Sequence, residues 1–163
     1  MNETVYIVNG ARTPMGGLQG CFSSISAVEL GSAAIEETLN RSCIEKKEVQ
    51  EVIMGCVLPG GLRQGPARQA AIQAGIPVET GASTINKLCG SGMKATMLGF
   101  DSIKAGSNQL VITGGMESMS NAPYLLPKAR QGLRMGHGEI QDSMFTDGLE
   151  DASSARLMGS FAQ

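Results

Sequence analysis

Apolar stretches typical of buried strands alternate with amphipathic stretches typical of helices between Val5 and Thr113. Four strands are predicted, at residues 5–8, 52–57, 83–86 and 110–113. Three helices are predicted between them, at residues 26–40, 66–74 and 93–103. Because strands and helices alternate, the sequence predicts a layered α/β domain whose strands are at least partly parallel. At 163 residues the chain is long enough to bury a core.

Local signals predict where these helices begin and which residues mark their faces. Ser26 and Glu29 form a capping-box pair at the start of the first helix. Its predicted face carries Ala27, Leu30, Ala34 and Thr38. Pro66 opens the second helix, whose small residues suit close packing: Ala67, Ala70, Ala71 and Ala74. The third helix is predicted to be amphipathic from the spacing of Met93, Met97, Phe100 and Ile103.

Cys89 lies where the third predicted strand gives way to the third helix. A thiol at a helix N-terminus is near unpaired N–H groups and the positive end of the helix dipole, which favour the thiolate. Gly90 and Gly92 leave space for a bulky group to approach the sulfur. The pattern therefore indicates a nucleophilic cysteine, with an inert buried cysteine as the alternative.

The other three cysteines fit the inert interpretation better. Cys56 lies in an apolar run, Cys43 follows a charged helix and Cys21 is next to Phe22 in a loop. None forms a C-x-x-C pair, and with a single histidine the chain shows no recognisable zinc site, so no metal is expected. Four unpatterned cysteines and ten methionines favour a reducing compartment.

Composition and charge bear on the remaining classes of function. A net charge of -2 and the lack of a basic stripe with aromatic residues argue against nucleic-acid binding. No apolar run is long enough for a membrane span, and the N-terminal residues do not resemble a signal peptide. A cytoplasmic location is therefore expected.

The pattern changes after Gly115. Residues 116–151 are rich in Gly, Met, Ser and Pro and show no clear period. Residues 156–163 then have the pattern of a helix that is cut at the end of the chain. We interpret the C-terminus as a truncation.

Several separate motifs resemble the thiolases, the acetyl-CoA acetyltransferases and 3-ketoacyl-CoA thiolases. The segment 86–95, NKLCGSGMKA, resembles their nucleophile motif. Further similar segments follow in the same order along the chain: 11–14 (ARTP), 51–55 (EVIMG), 65–70 (GPARQA), 114–120 (GGMESMS), 135–137 (MGH) and 147–149 (DGL).

The resemblance implies a layered α/β/α/β/α fold built from two similar halves. Residues 1–118 would form most of the N-terminal thiolase half, a βαβαβαβ core that carries Cys89. Residues 119–163 would begin a loop domain inserted into that half, here truncated. The full-length family forms dimers or tetramers, so a homo-oligomer is expected.

The resemblance also implies a chemistry, that of an acetyl-CoA C-acetyltransferase. Cys89 would carry the acyl group during reversible Claisen condensation of acyl-CoA, or during thiolysis of a 3-ketoacyl-CoA. Its own N–H would donate to the oxyanion. Acetyl-CoA and acetoacetyl-CoA or another 3-ketoacyl-CoA would be substrates, and no separate cofactor is expected. The family's activating histidine, second cysteine and oxyanion asparagine belong to the second half, so this chain alone is expected to be inactive.

The remaining candidate residues carry weaker signals. Leu149 and Met158 match positions that line the pantetheine tunnel in the family, although both residue types are common in cores. His137, the one histidine, is expected in a loop of subunit contacts away from the thiol. Five acidic residues are expected on a solvated or interface face: Glu117, Asp142, Asp147, Glu150 and Asp151.

Two alternatives to a thiolase remain open at this point. A ketoacyl synthase-type condensing enzyme shares the fold but uses a different set of residues downstream. A non-enzymatic scaffold or redox-sensing protein would expose a reactive thiol without transferring an acyl group.

Overall fold

Three parallel strands form the central sheet of the computed structural model, which describes residues 4–162. They are β1 (Glu51–Gly55), β2 (Gly81–Ile85) and β3 (Val111–Gly115). The spatial order is β2-β1-β3, so β1 pairs with both neighbours, from Glu51 opposite Gly81 and Val111. Three of the four predicted strands are therefore present, and the α/β class is confirmed.

Three α-helices alternate with these strands, as predicted: α1 (Ala27–Ser42), α2 (Pro66–Gln73) and α3 (Ser91–Lys104). The predicted capping box begins α1, since the Glu29 N–H donates to Ser26 Oγ at 3.2 Å and the Ser26 N–H donates to the Glu29 carboxylate at 2.8 Å. Pro66 is the first residue of α2, where its missing N–H costs nothing.

The helices cover both faces of the sheet because β1 is apolar on both sides. Val52 and Met54 pack into one core with α1 and the alanines of α2. On the opposite face, Gly55 lies against Ser91 at the start of α3. The chain crosses from β1 to β2 through α2 and returns past β1 to β3 through α3. Helices on opposite faces give these two crossovers the same hand.

The buried face of α1 differs from the predicted one. Its buried residues are Ala27, Val28, Gly31, Ser32, Ile35 and Leu39. Gly31 packs against Met116, and a Cβ at Gly31 would lie 2.6 Å from the Met116 sulfur. The small residue allows this contact, and Leu30, Ala34 and Thr38 of the predicted face are only half-buried.

The predicted strand at residues 5–8 is absent from the sheet, so the predicted βαβαβαβ order is wrong in its first element. Ile7 remains 87% exposed. A cavity of about 580 Å³ lies between residues 4–11 and the outer edge of β3, and Ala34 and Thr38 contribute to its lining. A strand needs hydrogen bonds to a neighbouring strand, and this cavity separates residues 5–8 from β3.

Helix α3 has the predicted position but presents the opposite face to the sheet. Ser91, Ala95 and Gly99 are its buried residues, while Met93 is 74% exposed. Gly99 packs beside Thr113, where a Cβ would lie 2.5 Å from the Thr113 methyl group. The small residues allow α3 to lie close to the strands. Its exposed apolar face includes Met93, Met97 and Phe100.

Residues 119–162 form only short elements, including an antiparallel pair of strands, β4 (Tyr124–Leu125) and β5 (Gln141–Asp142). A π-helical turn spans Phe145–Leu149. The predicted final helix is a 3-10 turn over Met158–Phe161, because Gly159 and Ser160 are weak helix formers. Gln163, like residues 1–3, lies outside the described residues. The predicted division into residues 1–118 and 119–163 remains a prediction.

No helix within the described part of the chain is both long and apolar enough to cross a membrane.

Candidate active site

Cys89 lies between the end of β2 and the first residue of α3, as the sequence predicts. Its side chain is exposed, so it is not an inert core cysteine. Cys56 is the buried cysteine, whereas Cys21 and Cys43 are exposed, contrary to their interpretation as core residues. The turn after β2 therefore presents a free thiol at the surface.

The turn that carries Cys89 has two backbone hydrogen bonds and one strained residue. The Gly90 N–H donates to the Lys87 carbonyl at 3.1 Å, and the Ser91 N–H donates to the Leu88 carbonyl at 2.9 Å. Leu88 has φ of 49°, in the left-handed region that non-glycine residues rarely adopt. The Asn86 side-chain oxygen accepts a 2.9 Å hydrogen bond from the Leu88 N–H and so supports that conformation.

Ser91 ties the turn to the start of α3. Its hydroxyl accepts a 2.8 Å hydrogen bond from the Lys87 N–H and donates at 2.6 Å to the Leu88 carbonyl. The side chain is buried against Gly55 of β1, where an added Cβ would lie 2.6 Å from the Ser91 Cβ. The absence of a side chain at Gly55 thus lets the thiol-bearing turn approach the central strand.

The start of α3 has unpaired donors, as expected at a helix N-terminus. Lys94 is the first residue of α3 whose N–H bonds to the carbonyl four residues earlier, and it donates to the Gly90 carbonyl at 2.8 Å. Within residues 4–162, the Gly92 and Met93 N–H groups have no hydrogen-bond partner. Such groups attract negative charge, whether a thiolate or an oxyanion.

A cleft of about 290 Å³ lies beside this turn, at the carboxyl ends of the three parallel strands. The carboxyl edge of a parallel sheet is where α/β folds bind ligands. Leu88, Cys89 and Gly92 line the cleft. Residues that follow β1 and β3 also line it: Val57, Met116 and Glu117.

Glu117 is half-buried in this cleft, so it does not lie on a solvated surface, the first of the two expectations for it (a solvated or an interface face). Its carboxylate accepts hydrogen bonds from the Val57 N–H at 2.8 Å and the Leu58 N–H at 3.0 Å. The Cys56 thiol donates to the same carboxylate at 3.6 Å. Burial raises the pKa of Cys56 to about 12, and the Glu117 charge adds to this shift.

The remaining predicted site residues do not line this cleft. Leu149 is half-buried at the end of the π-helical turn, and Met158 is 48% exposed. Their assignment to a pantetheine tunnel remains a prediction. His137 is exposed in the loop before β5. Among the described residues, no group of three or more His, Cys, Asp or Glu side chains could hold a metal ion.

Sequence reasoning missed the roles of Asn86, Ser91 and Glu117. Asn86 and Ser91 are close to Cys89 in the chain, so turn chemistry was a usable signal for both. Glu117 reaches its partners through the pairing of β1 with β3, and that pairing is not a local property of the sequence.

The fold is a layered α/β architecture, and an exposed cysteine lies on the turn between β2 and α3. The family described as "Thiolase, N-terminal domain" matches residues 5–163. The chain belongs to this thiolase family.

Individual relatives agree with this assignment. The chain is 48% identical over 163 residues to an acetyl-CoA acetyltransferase of Schizosaccharomyces pombe, and this match covers 100% of the chain and 41% of the yeast protein. It is 51% identical over 159 residues to acetyl-CoA acetyltransferase 2 of Arabidopsis thaliana, and this match covers 98% of the chain and 40% of the plant protein.

A solved structure shows the same fold. The Acat5 thiolase from Ascaris suum, in complex with coenzyme A, matches with a TM-score of 0.92 and 38% sequence identity. The match covers 96% of this chain and 41% of that one. The chain therefore spans 40–41% of the length of these three proteins, and shares the fold of the Ascaris thiolase over that part.

Proposed function

We propose that this chain contributes the acyl-carrying half of an acetyl-CoA C-acetyltransferase, with Cys89 as the covalent acyl carrier. The observation that carries the proposal is the exposed Cys89 thiol, held beside a cleft at the carboxyl edge of the sheet. The relatives named acetyl-CoA acetyltransferases and the coenzyme A complex of the Ascaris protein support coenzyme A thioesters as substrates. No separate cofactor is required for this chemistry.

In the first half-reaction, the Cys89 thiolate attacks the carbonyl carbon of acetyl-CoA. The new carbon–sulfur bond forms as the bond to the coenzyme A sulfur breaks, and the departing thiolate takes up the proton that Cys89 lost. One thioester replaces another, so the energy of the acyl bond is conserved. The unpaired N–H groups at the start of α3, together with the Cys89 N–H, are the candidate donors to the oxyanion.

The second half-reaction requires more than a thiol. A second acetyl-CoA must lose a proton from its α-carbon, and the resulting carbanion attacks the carbonyl carbon of the acyl group on Cys89. The new carbon–carbon bond forms as the bond from the acyl carbon to the Cys89 sulfur breaks, which releases acetoacetyl-CoA and the Cys89 thiolate. Thiolysis is the reverse of these steps. In the family the histidine and the second cysteine that move these protons belong to the other half of the fold. We propose that the 163-residue chain alone does not turn over.

The same resemblance supports two wider proposals, and the cysteines support a third. The subunits of the complete protein form homo-oligomers, and Leu149 and Met158 line the passage for the pantetheine arm. The protein works in the cytoplasm, a reducing compartment that fits four cysteines that are all free.

Mass spectrometry of the purified chain after incubation with acetyl-CoA tests the proposal. We expect a small fraction of acetyl adduct, located on Cys89 by peptide mapping, and no detectable acetoacetyl-CoA. Cys89→Ser should lose the adduct, while Cys43→Ser, which changes another exposed cysteine, should keep it. An adduct spread equally over the exposed cysteines would contradict an acyl-carrying role for Cys89.

The same samples separate the alternative of a redox-sensing thiol. Such a protein would oxidise readily at Cys89 but would form no acetyl adduct there. Steady formation of acetoacetyl-CoA by the 163-residue chain would instead show that the chain contains its own base.

A further inference from the structure

A chain of hydrogen bonds links the residues that follow the three parallel strands and ends at Leu88, the neighbour of Cys89. It begins at Glu117 after β3, whose carboxylate accepts the Val57 N–H at 2.8 Å. The carbonyl of the same residue, Val57, accepts a 3.3 Å hydrogen bond from the Asn86 side-chain amide after β2. The Asn86 side-chain oxygen then accepts the Leu88 N–H at 2.9 Å. Leu88 is next to Cys89 in the chain.

Each hydrogen bond in this chain, which we call the positioning relay (Glu117, Val57, Asn86 and Leu88), constrains the next one. A charged carboxylate is a strong acceptor, and Glu117 uses both oxygens, on the N–H groups of Val57 and Leu58. This fixes the segment after β1 and so sets the direction of the Val57 carbonyl. That carbonyl orients the Asn86 amide, because an amide side chain that donates on one side presents its oxygen on the other.

The relay ends at the one strained residue of the turn. Leu88 has a left-handed backbone, a conformation that is unfavourable for a residue with a side chain. Such a conformation persists when surrounding contacts impose it. The hydrogen bond from the Leu88 N–H to Asn86 is one of those contacts, and it determines where the following residue, Cys89, is directed.

We propose that Glu117 and Asn86 are positioning residues for Cys89, and that Glu117 acts through the Val57 peptide and Asn86. The proposal rests on the acyl-carrying role of Cys89. It adds two residues that touch no reacting atom but hold the thiol turn in its strained conformation.

The direction in which Glu117→Gln changes the alkylation rate of Cys89 distinguishes a positioning role of Glu117 from an electrostatic one. Glu117 is an acidic residue lining the same cleft as Cys89, so removing its charge would favour a thiolate there and speed alkylation. Loss of positioning acts in the opposite direction, because the turn then samples conformations that withdraw the thiol. A slower Cys89 in Glu117→Gln is therefore not explained by the lost charge.

The test is a double-mutant cycle on alkylation rates in the 163-residue chain. Iodoacetamide labelling and peptide mapping give the rate at Cys89 relative to exposed Cys43, as an internal reference. Glu117→Gln and Asn86→Ala are each expected to lower this ratio at least about threefold, a loss typical of one removed hydrogen bond. The double variant should be no slower than Asn86→Ala.

Matched controls and a fold reporter accompany the cycle. Glu79→Gln and Gln73→Ala remove an exposed carboxylate and an exposed amide, and should leave the ratio unchanged. Labelling of buried Cys56 reports whether a variant has unfolded. Asn86 is exposed, so Asn86→Ala tests the final link even if Glu117→Gln does not fold.

Two results would overturn the proposal. One is a ratio that falls less than about threefold in folded Asn86→Ala. The other is independent effects that multiply in the double variant. An absent acetyl adduct on wild-type Cys89, with the alkylation cycle as expected, would refute the acyl-carrying role and leave the positioning relay intact.

Discussion

Cys56 and Cys89 each follow a strand of the same sheet, but their surroundings differ. Cys89 is exposed on a turn before α3, while Cys56 is buried and donates to the Glu117 carboxylate. Burial and a nearby negative charge both disfavour a thiolate at Cys56. The two thiols are therefore expected to differ strongly in reactivity.

With limiting iodoacetamide near neutral pH, Cys89 should alkylate first, because α3 directs its N-terminal N–H groups toward this turn. Cys21 and Cys43 are exposed but lie at no helix N-terminus, so they should follow. Cys56 should remain unlabelled while the chain is folded. Peptide mapping over time measures all four rates in one sample. Equal rates at Cys89, Cys21 and Cys43 would argue against activation by the helix.

Cys56 also makes stability depend on alkaline pH. Its pKa is about 12 in the folded chain and returns to about 9 on unfolding, so the folded state holds this proton more tightly. The resulting stabilisation is complete below pH 9 and is lost as the pH rises from about 9 to about 12. Urea midpoints measured across this window should fall more steeply for wild type than for Cys56→Ala. Parallel curves would contradict the linkage.

Close contacts decide how the elements of this fold pack, and they explain what the sequence did and did not predict. Capping signals and alternation were enough for α1, α2, α3 and the three paired strands, because those signals are local. The face that α3 buries was mispredicted, since Gly99 and Ala95 allow an approach to the sheet that outweighs the apolar spacing of Met93 and Phe100.

The candidate site divides in the same way. Cys89 was predicted because the strand, the glycines and the helix that define its environment are its neighbours in the chain. Glu117 was expected on a solvated or interface face, because its partners Val57 and Leu58 come from a distant segment. The strand at residues 5–8 failed for a related reason, since its composition suits a strand but no neighbour pairs with it.

Gly55→Ala tests the contact between β1 and α3. The new Cβ would lie 2.6 Å from the Ser91 Cβ and 2.7 Å from its backbone carbon, so the start of α3 must shift. We expect a loss of about 1–3 kcal/mol in the free energy of unfolding and slower alkylation of Cys89. Urea denaturation and peptide mapping measure these effects.

Gly17→Ala is the matched control, because nothing lies within 4 Å of a Cβ there. Its stability should stay close to that of wild type. If Gly55→Ala were equally stable, with unchanged labelling at Cys89, the close approach of β1 to the turn would not constrain the thiol.

At the scale of the whole molecule, the described residues leave apolar surface open at the outer edge of β3 beside the cavity and on the exposed face of α3. Exposed apolar patches and unpaired sheet edges both favour association. We expect dimers or larger species in light scattering, together with low thermal stability. Met93→Gln combined with Met97→Gln should reduce association, whereas Asp101→Asn on the same helix should not. A stable monomer would show that the chain is self-sufficient.

The strand order also has a consequence for how the molecule folds. β1 is the central strand, yet it precedes both of its partners in the chain, and a helix separates β2 from β1. Its second edge is paired only when β3 arrives, after one further helix, α3. Pairings between distant segments slow folding, since loop-closure entropy is lost before any contact compensates for it. During synthesis, the most buried strand is therefore made first and is the last to be enclosed.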